Sequence, residues 1–414
     1  VSPARKVRIY TGAVFFFWIA VSTLFIMAGG LGLAASAGFL GLMWAPMLVW
    51  PALIAIRARP PALIAFMAFI GFAVLSLAWS PYERPDQALK LALLTPLFML
   101  VPFAIARLDA PRRLRFAAFT AIMLLVASAY FVVESLFGAP VAHFVKASSG
   151  EAPAGPDALG LAHRTLSRGA SAFILVAGPM VIWLWSRTWR IAAGMLALSV
   201  MASALAFNMD ANIAALAAGV LLAAAAYLNP RFVLPGLFYA AAALVALTPI
   251  LLGAIVASTP DDLANMLPLS WHQRLEIWRY ALARLAEAPL FGLGLDGSRM
   301  LEDMTMLRGY PLALVPLHPH NGALHIWVET GAVGAGLAAA ALLLTGRTLA
   351  HASPAPAVAA GLAFCATVWF MLTLLGYGVW QEWHHGALSL AVAACFFSQP
   401  GEIGDTARHA FRRR

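Results

Sequence analysis

Residues 316–345 read PLHPHNGALHIWVETGAVGAGLAAAALLLT. From Gly322 to Thr345 the run is apolar for long enough to cross a bilayer, which takes about 20 residues of helix. Just ahead of it, Pro316-Leu317-His318-Pro319-His320-Asn321 sets two imidazoles at a membrane edge. Ionisable groups are costly there, so such a cluster points to function. The other readings are interfacial solvation or a metal site. Two histidines two apart, with no nearby Cys or Asp, make a poor metal constellation.

Apolar runs of this kind recur along the chain. The 414 residues are 62% hydrophobic and 11% charged. Soluble domains carry about 25% charged residues, so the composition is that of an all-α polytopic integral membrane protein. Twelve spans are predicted, near 10–29, 36–56, 61–79, 88–106, 114–137, 169–186, 191–208, 211–228, 232–257, 321–345, 357–377 and 386–399. The first reads as a transmembrane helix rather than a cleaved leader. Cys365 and Cys395 both fall inside apolar runs, which argues against a disulfide framework or a metal site.

The net charge of +9 does not indicate nucleic acid, because the basic residues sit in short gaps between apolar runs. Of the 27 Lys and Arg residues, 17 fall in gaps on one side: Arg5, Lys6, Arg8, Arg57, Arg59, Arg107, Arg112, Arg113, Arg115, Arg187, Arg190, Arg231, Arg347, Arg408, Arg412, Arg413 and Arg414. The positive-inside rule puts that side, with both termini, in the cytoplasm. Loops 138–168 and 258–320 then lie outside, together with His318 and His320. Nucleotide sugars are absent from that face, so a transferase working there needs a donor already carried in the membrane.

Loop 258–320 is too long for a plain connector. Within it Ser270-Trp271-His272-Gln273 reads as a capping box. Trp271, Leu275, Trp278, Leu282 and Leu285 form an apolar stripe at helical spacing, predicting an amphipathic interfacial helix over 271–286. Arg274, Arg279 and Arg284 flank the stripe, suited either to lipid phosphates or to a pyrophosphate. Gly292-Leu293-Gly294-Leu295-Asp296-Gly297 fits a dinucleotide fingerprint in letters only, since no βαβ unit surrounds it; the glycines are expected to shape a turn. Asn321 is a plausible N-cap for the following span, whose positive dipole end would favour phosphate and a neutral imidazole. Gly331 and Gly334 fall near the azimuth of His320 and are expected to permit close helix packing. Glu329 is expected on the opposite face, in a structural role.

The His320-Asn321 pair followed by Gly331-Ala332-Val333-Gly334 resembles the signature of the O-antigen ligase and polymerase superfamily. Arg274-Leu275-Glu276-Ile277-Trp278, followed by Pro289-Leu290-Phe291-Gly292-Leu293-Gly294, is similar to that superfamily's Arg-x-x-Ile-Trp…Pro-x-x-Gly-x-Gly pattern. His163-Arg164 and Ser167-Arg168-Gly169 resemble its Asn-Arg-Gly motif, with Ser167 in place of Asn. Trp380-Gln381-Glu382-Trp383 is similar to a Trp-Gln-x-Trp-Trp sequence, where the tryptophans suit either sugar stacking or the membrane interface. Around Asn208-Met209-Asp210-Ala211-Asn212 the superfamily's Ser-Arg pair is missing, leaving Asp210 to orient an arginine or hold a sugar hydroxyl. The likeness covers residues 160–390.

The resemblance implies a GT-C-like fold in a bacterial inner membrane, a periplasmic active site, and inverting transfer without metal or cofactor. The implied donor is a glycan on undecaprenyl pyrophosphate, and the acceptor lipid A–core oligosaccharide. His320 would be the general base, and Arg274, Arg168, Arg164 and Arg279 the pyrophosphate ligands. Asn321, His318, Gly331, Gly334, Asp210 and Trp278 would support them. A polymerase using a second carrier-linked glycan is the alternative within the superfamily. A twelve-helix transporter is the alternative outside it, with Asp210 and Glu134 as its intramembrane candidates.

Overall fold

Each apolar run folds as a helix, the form in which a chain pairs all its backbone groups away from water. The computed structural model describes residues 3–57, 60–148, 156–207, 209–352 and 354–400. Its helices are α1 (Pro3–Met27), α2 (Leu33–Arg57), α3 (Pro61–Leu75), α4 (Asp86–Ala106), α5 (Ala110–Leu136), α6 (Pro140–Ser148), α7 (Pro156–Ser186), α8 (Arg190–Ala206) and α9 (Asp210–Leu228). There follow α10 (Pro230–Ala257), α11 (Asp261–Met266), α12 (Leu269–Glu287), α13 (Gly322–Ala352), α14 (Pro356–Leu375) and α15 (Glu382–Cys395). Between α12 and α13 a short hairpin pairs β1 (Met304–Leu307) with β2 (Tyr310–Ala313).

Among the described residues, ten helices are long and apolar enough to cross a membrane. The twelve expected spans each coincide with a helix, but α8 and α15 are not among these ten. The chain is a helical multi-pass membrane protein. Arg59, Asn208, Arg408 and Arg412, Arg413 and Arg414 lie outside the described residues.

Contacts between connecting segments sort the helix ends. At one end, Ser80 Oγ donates to the Leu295 carbonyl (2.7 Å) and Gln87 Nε2 to the Trp380 carbonyl (2.7 Å). There too, Ser167 Oγ donates to the Phe207 carbonyl (2.5 Å). At the other, Arg113 donates to Gln399 Oε1 (2.9 Å) and the Pro400 carbonyl (3.3 Å). This grouping is the one an alternating chain requires. Small residues let the helices approach closely. A Cβ on Gly41 would sit 2.3 Å from the Leu97 carbonyl oxygen, and one on Gly386 2.6 Å from that of Leu33. Large apolar side chains such as Trp50 and Ile250 point outward, as a lipid-facing surface requires.

Three local expectations need correction. The segment 138–168 is largely helical: α6 occupies part of it, and α7 starts at Pro156, so Arg164, Ser167 and Arg168 sit within a helix. Helix α12 begins at Leu269 after Pro268, and Ser270 makes no capping bond, so the capping box does not form. Most of the stripe of α12 is packed on protein, while Trp271 at its start is exposed. Leu275, Trp278 and Leu285 are buried against Leu252 of α10 and Leu324 and Val328 of α13.

Candidate active site

The site begins where α13 is broken. Gly331 has φ 60° and ψ −163°, a conformation essentially restricted to glycine. The break frees backbone groups of α13, and the chain from Pro289 to Gly294 takes them. Leu293 N–H donates to the Val328 carbonyl (2.8 Å) and Gly294 N–H to that of Glu329 (2.8 Å). In return Ala332 and Val333 N–H donate to the carbonyls of Pro289 (2.9 Å) and Leu290 (3.1 Å). A Cβ on Gly292 would lie 2.4 Å from the Glu329 carbonyl carbon, and one on Gly331 2.4 Å from that of Leu290. The expected turn at Gly292-x-Gly294 is therefore present, with both glycines at positive φ. The expected helix-packing role of Gly331 is corrected: it interrupts the helix and seats a loop. Gly334 faces its own neighbour Thr330.

Above the break, Asn321 Oδ1 accepts from Leu324 N–H (2.9 Å), the N-cap the sequence suggested. His320 precedes it, half-buried and at φ 50°. Trp278 Nε1 donates to the Pro319 carbonyl (3.2 Å), so the tryptophan of the α12 motif clamps the histidine loop. His318 is buried; its Nδ1 accepts from His320 N–H (3.2 Å), and its ring stands 4.7 Å from that of His320. Burial, reinforced by neighbouring imidazoles and Arg299, pushes His318 down to about 2, so it stays neutral. Burial also holds His320 below the ordinary histidine value, with Arg274 adding to the effect and a hydrogen bond to the Gly376 backbone opposing it.

Arg274 reaches across to the same place. Its Nη2 donates to the Leu375 carbonyl (3.0 Å) and its Nη1 to that of Ser270 (3.4 Å), while the guanidinium covers the Trp271 ring at 5.0 Å. Burial lowers its pKa and the charge of Asp210 opposes that. Asp210 begins α9, exposed, and its charge reaches Arg274. Arg168, half-buried on α7, projects its charge onto Tyr377. The Nε atoms of both Arg168 and Arg274 are buried without a hydrogen-bond partner. Arg164 lies exposed one turn before Arg168. Arg279 pairs with Glu276 (2.7 Å) and Asp261 (3.8 Å) instead of joining the group.

Two features escaped the sequence reading. The first is the turn after α14. Leu375 holds Arg274, Gly376 holds His320, and Tyr377 hydroxyl bonds Ser171 Oγ (2.9 Å) beside Arg168. Burial pushes the Tyr377 phenol up to about 12, leaving it a neutral hydrogen-bonding group. The second is Glu329, which is fully buried and faces the loop 294–298 and Trp380. A structural role was expected for it; its partners, the loop seated at the break and Trp380, were not. Trp380 and Trp383 are themselves buried, so neither is exposed for sugar stacking. Among the described residues no group of three or more His, Cys, Asp or Glu is arranged to hold a metal ion.

Fold and site together define a multi-pass membrane protein with a basic, histidine-bearing site at one end of its helices. Residues 158–339 match the O-antigen ligase family. That segment, under half of the chain, is similar to the O-antigen ligase-like superfamily. A provisionally named polysaccharide ligase of Rickettsia conorii (strain ATCC VR-613 / Malish 7) is 27% identical over 167 residues, 38% of this chain and 40% of that protein. Another, of Rickettsia prowazekii (strain Madrid E), is 29% identical over 114 residues, 27% of this chain and 28% of that protein. The chain thus spans 40% or less of the length of these two relatives. No solved structure matches.

Proposed function

We propose that the protein transfers a glycan from a polyprenyl-pyrophosphate carrier to an acceptor hydroxyl on the periplasmic face of a bacterial inner membrane. The superfamily and the names of the relatives support a ligase-type or polymerase-type role. The observation that carries the finer reading is the meeting of His320 and Arg274 on adjacent residues of one turn, Gly376 and Leu375.

In this reading the acceptor oxygen attacks the anomeric carbon from the face opposite the carrier. The bond from that carbon to the pyrophosphate oxygen breaks, inverting the centre. His320 takes the proton of the acceptor hydroxyl as general base. Its depressed pKa keeps it unprotonated near neutral pH, as that role requires. Arg274 and Arg168 stabilise the charge growing on the leaving pyrophosphate, a task guanidinium performs bidentately. Arg164 and Arg279 stand further back, as groups that meet the donor on entry.

Lipid A–core oligosaccharide is the favoured acceptor, making the protein an O-antigen ligase. The periplasmic placement rests on the 17 basic residues that the predicted spans assign to the opposite side. A transporter is less well supported. Glu134 is spent capping α6, accepting from Val141 N–H (3.1 Å) and Ala142 N–H (3.2 Å), and Asp210 lies at a helix start.

The test is reconstitution with undecaprenyl-pyrophosphate glycan and lipid A–core, in chelator and without nucleotide. Glycan appearing on lipid A–core supports a ligase. Glycan lengthening on the carrier points to a polymerase, and neither product refutes transfer. Restoration of transfer only by a divalent metal would refute its metal independence.

A further inference from the structure

The carboxylate of Glu329 is fully buried and accepts five hydrogen bonds. Oε1 takes Ser298 Oγ (2.5 Å), Ser298 N–H (3.2 Å) and His325 Nε2 (3.0 Å). Oε2 takes Trp380 Nε1 (2.6 Å) and Asp296 N–H (2.8 Å). The tautomer of His325 follows from its other side. Its Nδ1 accepts from Val379 N–H (3.3 Å), so the proton sits on Nε2 and points to Glu329. A second bond fastens the same turn, from Gln87 Nε2 to the Trp380 carbonyl (2.7 Å). The turn fixed in this way is the one that holds Arg274 at Leu375, His320 at Gly376 and Tyr377 beside Arg168.

We propose that Glu329 is a positioning residue: through Trp380 and His325 it sets the 375–380 turn against α13, and the turn in turn sets His320 and Arg274 relative to each other. The proposal rests on the reading of those two residues as the reacting pair. A buried acceptor with five donors is strongly directional, because each donor left unpaired there costs more than the bond itself contributes. Loss of one donor on the turn side should therefore move the turn, and His320 with it.

The charged and titratable groups facing His320 are Arg274 from α12, His325 from α13 and His318 from its own loop. None of these is removed by a change at Trp380. The readout is the rate at which diethyl pyrocarbonate modifies His320 in the full-length protein in detergent, followed by mass spectrometry across pH. The exposed His351 at the far end serves as internal reference. Trp380→Phe removes one donor and keeps the ring. It should raise the His320 rate about 2- to 10-fold, the worth of one hydrogen bond. It should also move the midpoint of its pH dependence up toward the ordinary histidine value, because burial is the main cause of its depression. Glu329→Gln should do more, and where that variant fails to fold, Trp380→Phe carries the test alone. Ser22→Ala cuts a buried bond to Ser36 Oγ (2.9 Å) between α1 and α2, touching neither the turn nor the loop that meets Glu329, and should leave His320 unchanged.

An unchanged His320 rate and midpoint in Trp380→Phe would overturn the proposal. So would an equal change in Ser22→Ala, which would mean general loosening. The labelling needs no glycan, so a wild-type protein without transfer activity would remove the catalytic reading and leave this result standing.

Discussion

Replacing Arg274 by lysine keeps the charge and removes the geometry. The guanidinium spends Nη2 on the Leu375 carbonyl at 3.0 Å, spreads over the Trp271 ring at 5.0 Å, and keeps a buried Nε with no partner. An ammonium is a compact point charge and cannot span these three places at once. With a lysine bound to Leu375, the donor pyrophosphate loses a two-pronged partner. With a lysine turned to the donor, the turn loses its tie to α12. Either way one or two hydrogen bonds to a charged group go, each worth about 1.5–3 kcal/mol, which is about 10- to 150-fold per bond. Donor affinity is therefore expected to fall by at least about tenfold. The assay is equilibrium binding of undecaprenyl-pyrophosphate glycan to purified Arg274→Lys and Arg274→Ala, with melting temperature as the check on folding. A lysine variant that binds like the wild type would refute forked recognition and leave only a charge at this position.

His320→Ala should lower turnover by about 10²–10⁴-fold while donor binding persists, since loss of a general base removes a transition-state contribution. Because burial and Arg274 hold His320 below its ordinary value, the base is neutral above that lowered pKa. Wild-type kcat should thus fall only as pH drops through a midpoint below about 6.5, and a midpoint above it would contradict the assignment. Gly331→Ala should cost about 1–3 kcal/mol for its backbone region alone, with a further loss because a Cβ there meets Leu290; a melting temperature equal to wild type would disprove the need for the break. Cysteines at Met306 and Tyr310, both about two-thirds exposed, should react with an impermeant thiol reagent outside spheroplasts, while one at His351 should not.

The fold was legible because hydropathy marks a membrane helix, and each apolar run became a helix, ten of them long enough to cross among the described residues. His320, Asn321, Arg274 and Trp278 were legible because they sit in two short motifs, and the structure brings all four to one end of the bundle. The partners of Glu329 were not legible for a geometrical reason. Azimuths on α13 were counted as though the helix were continuous, and they say nothing about a loop inserted at its break. The 375–380 turn was invisible in another way. Leu375 and Gly376 act through backbone groups, which leave no trace in side-chain pattern. Trp380 and Trp383 matched an interfacial signature, but that signature cannot tell a lipid-facing indole from one holding a buried carboxylate. The helical start of α7 was missed because Arg164, Ser167 and Arg168 lower its hydropathy without breaking its helix.

The spacing from Asn321 to Gly331 acquires a physical meaning from the break. Ten residues of helix rise about 15 Å, so the kink lies about half a hydrocarbon core below the N-cap. Irregular backbone at such depth is tolerated only where protein takes up its hydrogen bonds. The loop 289–294 meets that condition through four bonds to the broken helix, while Leu290 and Phe291 stay exposed as lipid-compatible side chains. A continuous α13 would consume the Val328 and Glu329 carbonyls internally and leave Leu293 and Gly294 N–H unpaired. The loop would then have to withdraw, and Asp296 and Ser298, which it delivers to Glu329, would go with it. Gly331 is thus tied to His320 by a chain of named bonds: loop to Glu329, Glu329 to Trp380, and the Trp380 turn to the ring of His320.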